Sequence, residues 1–145
     1  MTDAIRRPSD FDQMMDDLVL ENRLFQTFKD LMVFAAILGY EKGIYNDCDD
    51  YKSIKDPIRL AVFRGEFDAP IINAIALAHT RDPEMLSNEK ADERHKIFEC
   101  YAYGGLNLIR NQIYECPDRE QAMIDLVVSF LQPKERSVTE IFEAY

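Results

Sequence analysis

His95 and Glu99 stand four residues apart in the segment ERHKIFEC. On a helix that spacing places an imidazole and a carboxylate on one face, where they could ligate a metal or share a proton. A zinc-protease helix would supply a second histidine beside a base, whereas the only other histidine here, His79, falls on a different helical segment. A surface pair next to a partly buried Cys100 fits these residues better, because unpaired cysteines favour interiors. The run Asn46-Asp47-Cys48-Asp49-Asp50 gathers carboxylates as a calcium loop does. Counted from Asn46, however, the sixth and twelfth positions, which need Gly and Glu, are Tyr51 and Pro57, so a solvated acidic loop is expected. Gly104-Gly105 is followed by Leu106-Asn107-Leu108 and lacks both the P-loop lysine and the dinucleotide spacing. Ser9, Ser53, Ser87, Ser129 and Ser137 lie in no nucleophile elbow, and two histidines leave little for a catalytic triad. No catalytic, cofactor-binding or metal-ligating residue is assigned, and the expectation is a protein that is not an enzyme.

The elements that would position any site are organised around Thr27 to Gly43, TFKDLMVFAAILGYEKG. Between Leu31 and Leu38 it is apolar on every side, which predicts a core helix enclosed by others. Thr27 with Asp30 supplies a start signal, and Gly39 stands where a left-handed residue would end the helix. Ahead of it, Ser9 is expected to cap a helix to about Leu20. There Phe11, Met14, Met15, Leu18 and Val19 recur at three- and four-residue steps, with Asp12, Asp16 and Asp17 facing out. After Gly43, NDCDDYKSIKDP reads as a surface loop. Ile58, Leu60 and Val62 alternate as in a short strand, for which Gly43 to Tyr45 is the candidate partner, with a helical turn as the alternative.

Asp68, Ala69 and Pro70 open a further buried helix that should pack on the central one. Asp82-Pro83 begins the longest element, interrupted or not around Ser87 and reaching about Tyr114. Gly104-Gly105 within it costs about 1 kcal/mol per glycine relative to alanine, so the pair should mark a close helix crossing or a break. Asp118 with Gln121 caps another helix that Pro133 ends, and Ser137 with Glu140 caps a short one ending at Tyr145. The expected fold is all-α, a single-domain helical bundle with one short β pairing near residues 43–64. Residues 1–8 would form a flexible arm, 9–132 the helical domain and 133–145 a short C-terminal helix.

Composition narrows the functional classes. At 145 residues, 47% hydrophobic and 30% charged, the chain has the size and make-up of one folded domain. Asp and Glu outnumber Lys and Arg by 27 to 17, and the net charge of -10 disfavours direct DNA binding by the monomer. Cys48, Cys100 and Cys116 are odd in number and form no CxxC pair; without a leader or a long apolar span they suggest reduced thiols in a cytoplasmic, non-membrane protein. Asp16, Asp17 and Glu21 on the first helix, with the Asp47 to Asp50 loop, could dock a basic partner or imitate a phosphate backbone. Charge of this kind nevertheless bears first on solubility.

Taken together, FKDLMVFAAILGYEKG, DPIRLAVFRGE, INAIALAHTRDPEML and RHKIFECYAYGGLNLI resemble the small proteins encoded beside bacterial DNA phosphorothioation systems, the Dnd-system-associated family. The likeness covers Leu24 to Leu131 and rests on the order of these segments, with no catalytic motif to carry over. It implies an accessory role in modification, or in the restriction that depends on it. The expected partners are protein components of such a complex, met through Asp16, Asp17 and Glu21 or through an apolar groove beside Tyr101, Tyr103 and Leu106. Whether the chain forms a homo-oligomer stays open. A metal-dependent enzyme using His95 and Glu99, or an acidic DNA mimic, is the alternative.

Overall fold

The computed structural model describes residues 4–48 and 56–132. Two helices make its centre: α2, Phe28–Lys42, and α4, Ala91–Ile109. They cross closely enough that a Cβ built on Gly105 would lie inside the backbone of Ala35, and one built on Gly39 would strike the Tyr101 carbonyl. Gly104 is equally tight, against the backbone of Ile44. The glycine pair therefore marks a close crossing without breaking α4, because only a residue without Cβ lets two helix backbones approach this far. Gly39 is part of the same seam and does not end α2, as its sequence position suggested. The helix runs one more turn to Gly43, whose φ of 69° is left-handed. There Ile44 N–H donates to Gly39 O at 2.8 Å and Gly43 N–H to Tyr40 O at 3.1 Å, the paired closing bonds that satisfy the last carbonyls.

At its start, the Thr27 hydroxyl accepts from the Asp30 amide at 3.1 Å, as expected. Enclosure of α2 is incomplete, however. Leu31, Met32, Ala35 and Ala36 are fully buried, but Ile37 and Tyr40 are 45% and 41% exposed. Uniform apolarity fixed no outward face, and the described helices do not surround this one.

The first helical segment buries Phe11, Met14, Met15, Leu18 and Val19 as the periodicity requires. It comprises a 3-10 turn at Ser9–Phe11, α1 at Asp12–Asp16 and a π turn at Asp17–Glu21. Ser9 caps nothing; Pro8 precedes the first turn and its fixed φ sets the entry. Residues 4–8 are no flexible arm. Ile5 is fully buried, and β1 (Ala4–Ile5) pairs antiparallel with β2 (Ile58–Arg59) in the register Ala4 with Arg59 and Ile5 with Ile58. The short β pairing exists, but its partner is the N-terminal strand and not Gly43 to Tyr45. Leu60–Val62 leaves it as a 3-10 turn.

Helix α3, Asp68–Thr80, packs chiefly against α4 and less against α2. It is half enclosed, with Ile72, Ile75 and Ala76 buried and Ala74 and Ala78 exposed. Asp68 does not cap it. The carboxylate instead takes the Lys29 ammonium at 2.9 Å and the Arg64 amide at 2.6 Å, tying α3 to the first turn of α2.

The long element from Asp82, whose continuity around Ser87 the sequence left open, is divided there: a Ser87 ψ of 156° separates two 3-10 turns. Asp82 caps the first by accepting from the Glu84 amide at 3.0 Å. Arg94 bridges the break, donating to Met85 O at 2.8 Å and Ser87 O at 2.6 Å. After α4 a second π turn, Arg110–Tyr114, leads to α5, Arg119–Leu131, where Asp118 accepts from the Gln121 amide at 3.0 Å. The expected C-terminal helix and most of the loop before Pro57 lie outside the described residues. An all-α bundle with one short β pairing is what the chain forms. No described helix is long and apolar enough to cross a membrane.

Candidate functional site

The middle of α4 carries three chemically distinct groups in succession, Glu99, Cys100 and Tyr101, because neighbouring positions on a helix point about 100° apart. Each meets a different part of the chain.

Glu99, only 5% exposed, faces the N-terminal strand. Its Oε2 accepts from the Arg6 amide at 2.5 Å and its Oε1 from Arg6 Nη2 at 3.0 Å and Nε at 3.1 Å. Burial pushes the carboxyl above its ordinary range, with the Arg6 guanidinium and amide opposing it. Glu99 is therefore committed to anchoring β1. His95, one turn earlier, shares with Arg6, Asp92, Lys96 and Glu99 a cleft of about 210 Å³. Its Nδ1 is buried with no hydrogen-bond partner among the described residues. Burial, then Arg94, holds the imidazole below its usual pKa. Among the described residues, no three His, Cys, Asp or Glu side chains converge as a metal site would require.

Cys100 is bonded to Cys48, with Cα atoms 5.3 Å apart, within the span a disulfide bridges. Both are fully buried. This corrects the expectation of reduced thiols. Sequence spacing could not pair residues 52 positions apart, and the crossing at Gly39 and Gly105 is what brings them together. Cys116 remains a free, half-buried thiol.

Tyr101 turns toward the ends of α2 and α3. Its hydroxyl lies 2.7 Å from His79 Nδ1, Tyr45 stacks on the His79 ring at 4.7 Å, and Tyr40 and Tyr45 meet the Tyr101 ring edge-on at 5.5 and 5.0 Å. Burial, then the neighbouring Tyr40 and Tyr45, raises the Tyr101 hydroxyl above its ordinary pKa. Tyr103 faces elsewhere, donating to Asp10 Oδ2 at 2.9 Å and packing edge-on against Phe11 at 5.4 Å. Leu106 is fully buried in the core. Tyr101, Tyr103 and Leu106 thus do not line one groove, because Leu106 is enclosed in the core and Tyr101 and Tyr103, two residues apart, point about 200° apart around α4.

The acidic residues are partly spent within the fold. Asp17 accepts from the Tyr114 hydroxyl at 2.5 Å and from Gln13 Nε2 at 2.8 Å. The Tyr114 bond leads in holding its carboxyl below the ordinary range. Asp16 is half-buried and adds negative charge around Arg7, leaving Glu21 as the exposed member of the trio. Asp17 and Tyr114 also clasp the two π turns together. Beside them a polar cleft of about 660 Å³ opens, lined by Asn22, Leu24, Tyr114, Cys116, Asp118 and Arg119 among others. Arg119 there is already held, lying 4.2 Å over the Tyr114 ring and donating to Tyr114 O and Asn22 Oδ1 at 2.9 Å each.

Two apolar surfaces were not singled out by the sequence. On α5 only Leu126 is buried, while Ile124, Val128 and Leu131 on the opposite face are 46%, 44% and 76% exposed. Their i, i+4, i+7 spacing makes one stripe. Separately, Phe34, Ile37, Leu38 and Glu41 of α2 form with Phe130 an apolar groove of about 380 Å³. The periodicity of 123–131 was legible, but its apolar residues run almost all round the helix, so only the packed bundle reveals which stay outside.

No curated protein and no solved structure matches the chain. A family model described as DNA sulphur modification system-associated protein 4 matches residues 4–145, and the chain belongs to that family.

Proposed function

We propose that the chain is a non-enzymatic accessory or regulatory protein of a DNA phosphorothioation modification or restriction system, working by contact with another protein of that system. Membership of the family supplies the pathway. The observation that supports contact is the outward stripe of α5. Three large aliphatic side chains stand in water on one face of a helix held to the bundle by the other, an arrangement that marks interaction surfaces. Glu21 and the remaining exposed carboxylates give a partner with a basic rim something to orient on.

Co-expression of the tagged full chain with each other protein of its modification locus tests this. The native chain should retain one of them through purification. Val128→Asp, on an exposed position, should keep the fold and lose that partner. Retention of none of them, or equal retention by both chains, would refute contact through α5.

A metal-dependent enzyme built on His95 is the rival, favoured by the buried Nδ1, which has no hydrogen-bond partner among the described residues. Metal analysis of the purified chain separates the two. A stoichiometric ion lost on His95→Ala would support chemistry, and its absence in the native chain would oppose it.

A further inference from the structure

Arg7 is only 7% exposed, whereas a guanidinium is normally left in water or paired when it is buried. Its Nε donates to Asp56 O at 2.9 Å, and its Cζ lies 4.2 Å over the Phe28 ring. Nη1 is buried without a hydrogen-bond partner, and no carboxylate among the described residues forms an ion pair with the side chain. Asp12, Asp16 and Asp56 act on it only at longer range, and burial outweighs them in lowering its pKa. A buried donor left in that state is costly and calls for a reason.

The same side chain stands in the wall of a cleft of about 400 Å³, with the first turn of α2 and parts of the segment 56–62 around it. Thr27, Phe28 and Lys29 bring the amino end of a 15-residue helix to this cleft. The Thr27 hydroxyl is used by the Asp30 amide, but the amides of Phe28 and Lys29 have no acceptor inside the helix and carry the positive end of its dipole. The Lys29 ammonium is taken by Asp68 and Asp30, so what Lys29 offers the cleft is its amide. Arg59, exposed, adds a second guanidinium, while Pro57, Ile58 and Val62 supply apolar surface. Asp56 is the one carboxylate in the lining, and it is exposed.

Two guanidinium groups and the amides of a helix start suit the several oxygens of a tetrahedral oxyanion. The apolar side suits a short organic group, and the volume is that of a small-molecule pocket. A net charge of -10 opposes the backbone of a nucleic acid. Because Nη1 is covered rather than satisfied, an oxyanion that reaches it gains the hydrogen bond without displacing water from it. The exposed side chains of Arg59 and Val62 can part to admit one.

We infer that this cleft binds a small organic phosphate or sulfate monoester, its oxyanion held by Arg7 and the amino end of α2 and its organic group laid against Pro57, Ile58 and Val62. The site shares no residue with the α5 stripe and does not depend on the protein contact proposed above.

Calorimetric titration of the full chain with phenyl phosphate tests the assignment. The Kd should be on the order of 0.1 mM, and inorganic phosphate, which lacks the apolar group, should bind at least tenfold more weakly. Arg7→Met keeps the apolar bulk, removes the orphan donor and should weaken phenyl phosphate at least tenfold. Arg59→Glu and Val62→Trp alter exposed positions and should each weaken it at least threefold, so the test stands even where Arg7→Met disturbs folding. No heat of binding from the native chain, affinity unchanged by both Arg59→Glu and Val62→Trp, or equal affinity for inorganic phosphate would overturn the inference. Tighter binding of a duplex oligonucleotide than of phenyl phosphate, lost on Arg59→Glu, would assign the cleft to nucleic acid and overturn it as well.

Discussion

Replacing Gly105 by alanine should loosen the crossing that holds the bundle together, and its cost can be worked from the contacts. The added methyl would stand 2.9 Å from the Ala35 Cα and 2.5 Å from its carbonyl carbon, with the carbonyl oxygen closer still. Carbon atoms pack at about 3.5–4.0 Å, so α2 would have to retreat by about 1–1.5 Å. Because the obstacle is helix backbone, no side chain can swing aside, and the cost falls near the upper end of overpacking, about 3 kcal/mol. Alanine recovers about 1 kcal/mol of helix propensity over glycine, leaving a net loss of about 2 kcal/mol. For a domain of this size that lowers Tm by about 6–8 °C. Thermal melts followed by circular dichroism would measure it against Gly65→Ala, where a Cβ meets nothing within 4 Å and stability should hold within about 0.5 kcal/mol. A Gly105→Ala chain as stable as the native one would show that the backbones do not approach as described.

Gly43→Ala meets open space but must adopt a φ of 69°, so it should cost about 1 kcal/mol through conformation alone, read from the same melts. Asp68→Asn leaves the buried Lys29 ammonium with only Asp30, at 3.3 Å, and should cost about 2–3 kcal/mol at neutral pH in urea unfolding. Burial alone would raise the Asp68 carboxyl, yet the Arg64 amide and Lys29 prevail and hold it below its ordinary value. The stability it contributes is therefore present above the unfolded pKa of about 3.9 and lost as pH falls through the lower folded value, so the native and Asp68→Asn curves should converge in acid. Without reductant, alkylation of the unfolded chain should label Cys116 and spare Cys48 and Cys100. The bridge closes a 52-residue separation, so reduction should cost about 4 kcal/mol on the chain-entropy account.

Local signals in the sequence held where their energetics are local. Thr27, Asp82 and Asp118 each cap the turn beside them, since the oxygen acceptor and the orphan amides lie within three residues. The buried stripe of the first helical segment, Phe11 to Val19, followed from spacing alone. What escaped depends on distant parts of the chain. Ile5 pairs with Ile58, Cys48 with Cys100 and Arg6 with Glu99, and nothing in the residues around either partner names the other. Gly39 carried two compatible meanings, helix end or helix contact, and only the proximity of Tyr101 decides between them. The candidate surface was missed for a related reason. A helix apolar nearly all round, like α5, does not declare its outer face until its neighbours are in place. His95 and Glu99 do share a helix face as their spacing implied, but Arg6, five residues from Met1, takes the carboxylate.

Contact and chemistry make opposite demands on two residues, Val128 and His95. A host strain lacking the gene, complemented with the native chain, Val128→Asp or His95→Ala, can be read for phosphorothioate content of its DNA and for restriction of unmodified DNA. The account predicts that the native chain and His95→Ala restore the lost trait while Val128→Asp does not. Restoration by Val128→Asp together with failure of His95→Ala would contradict it.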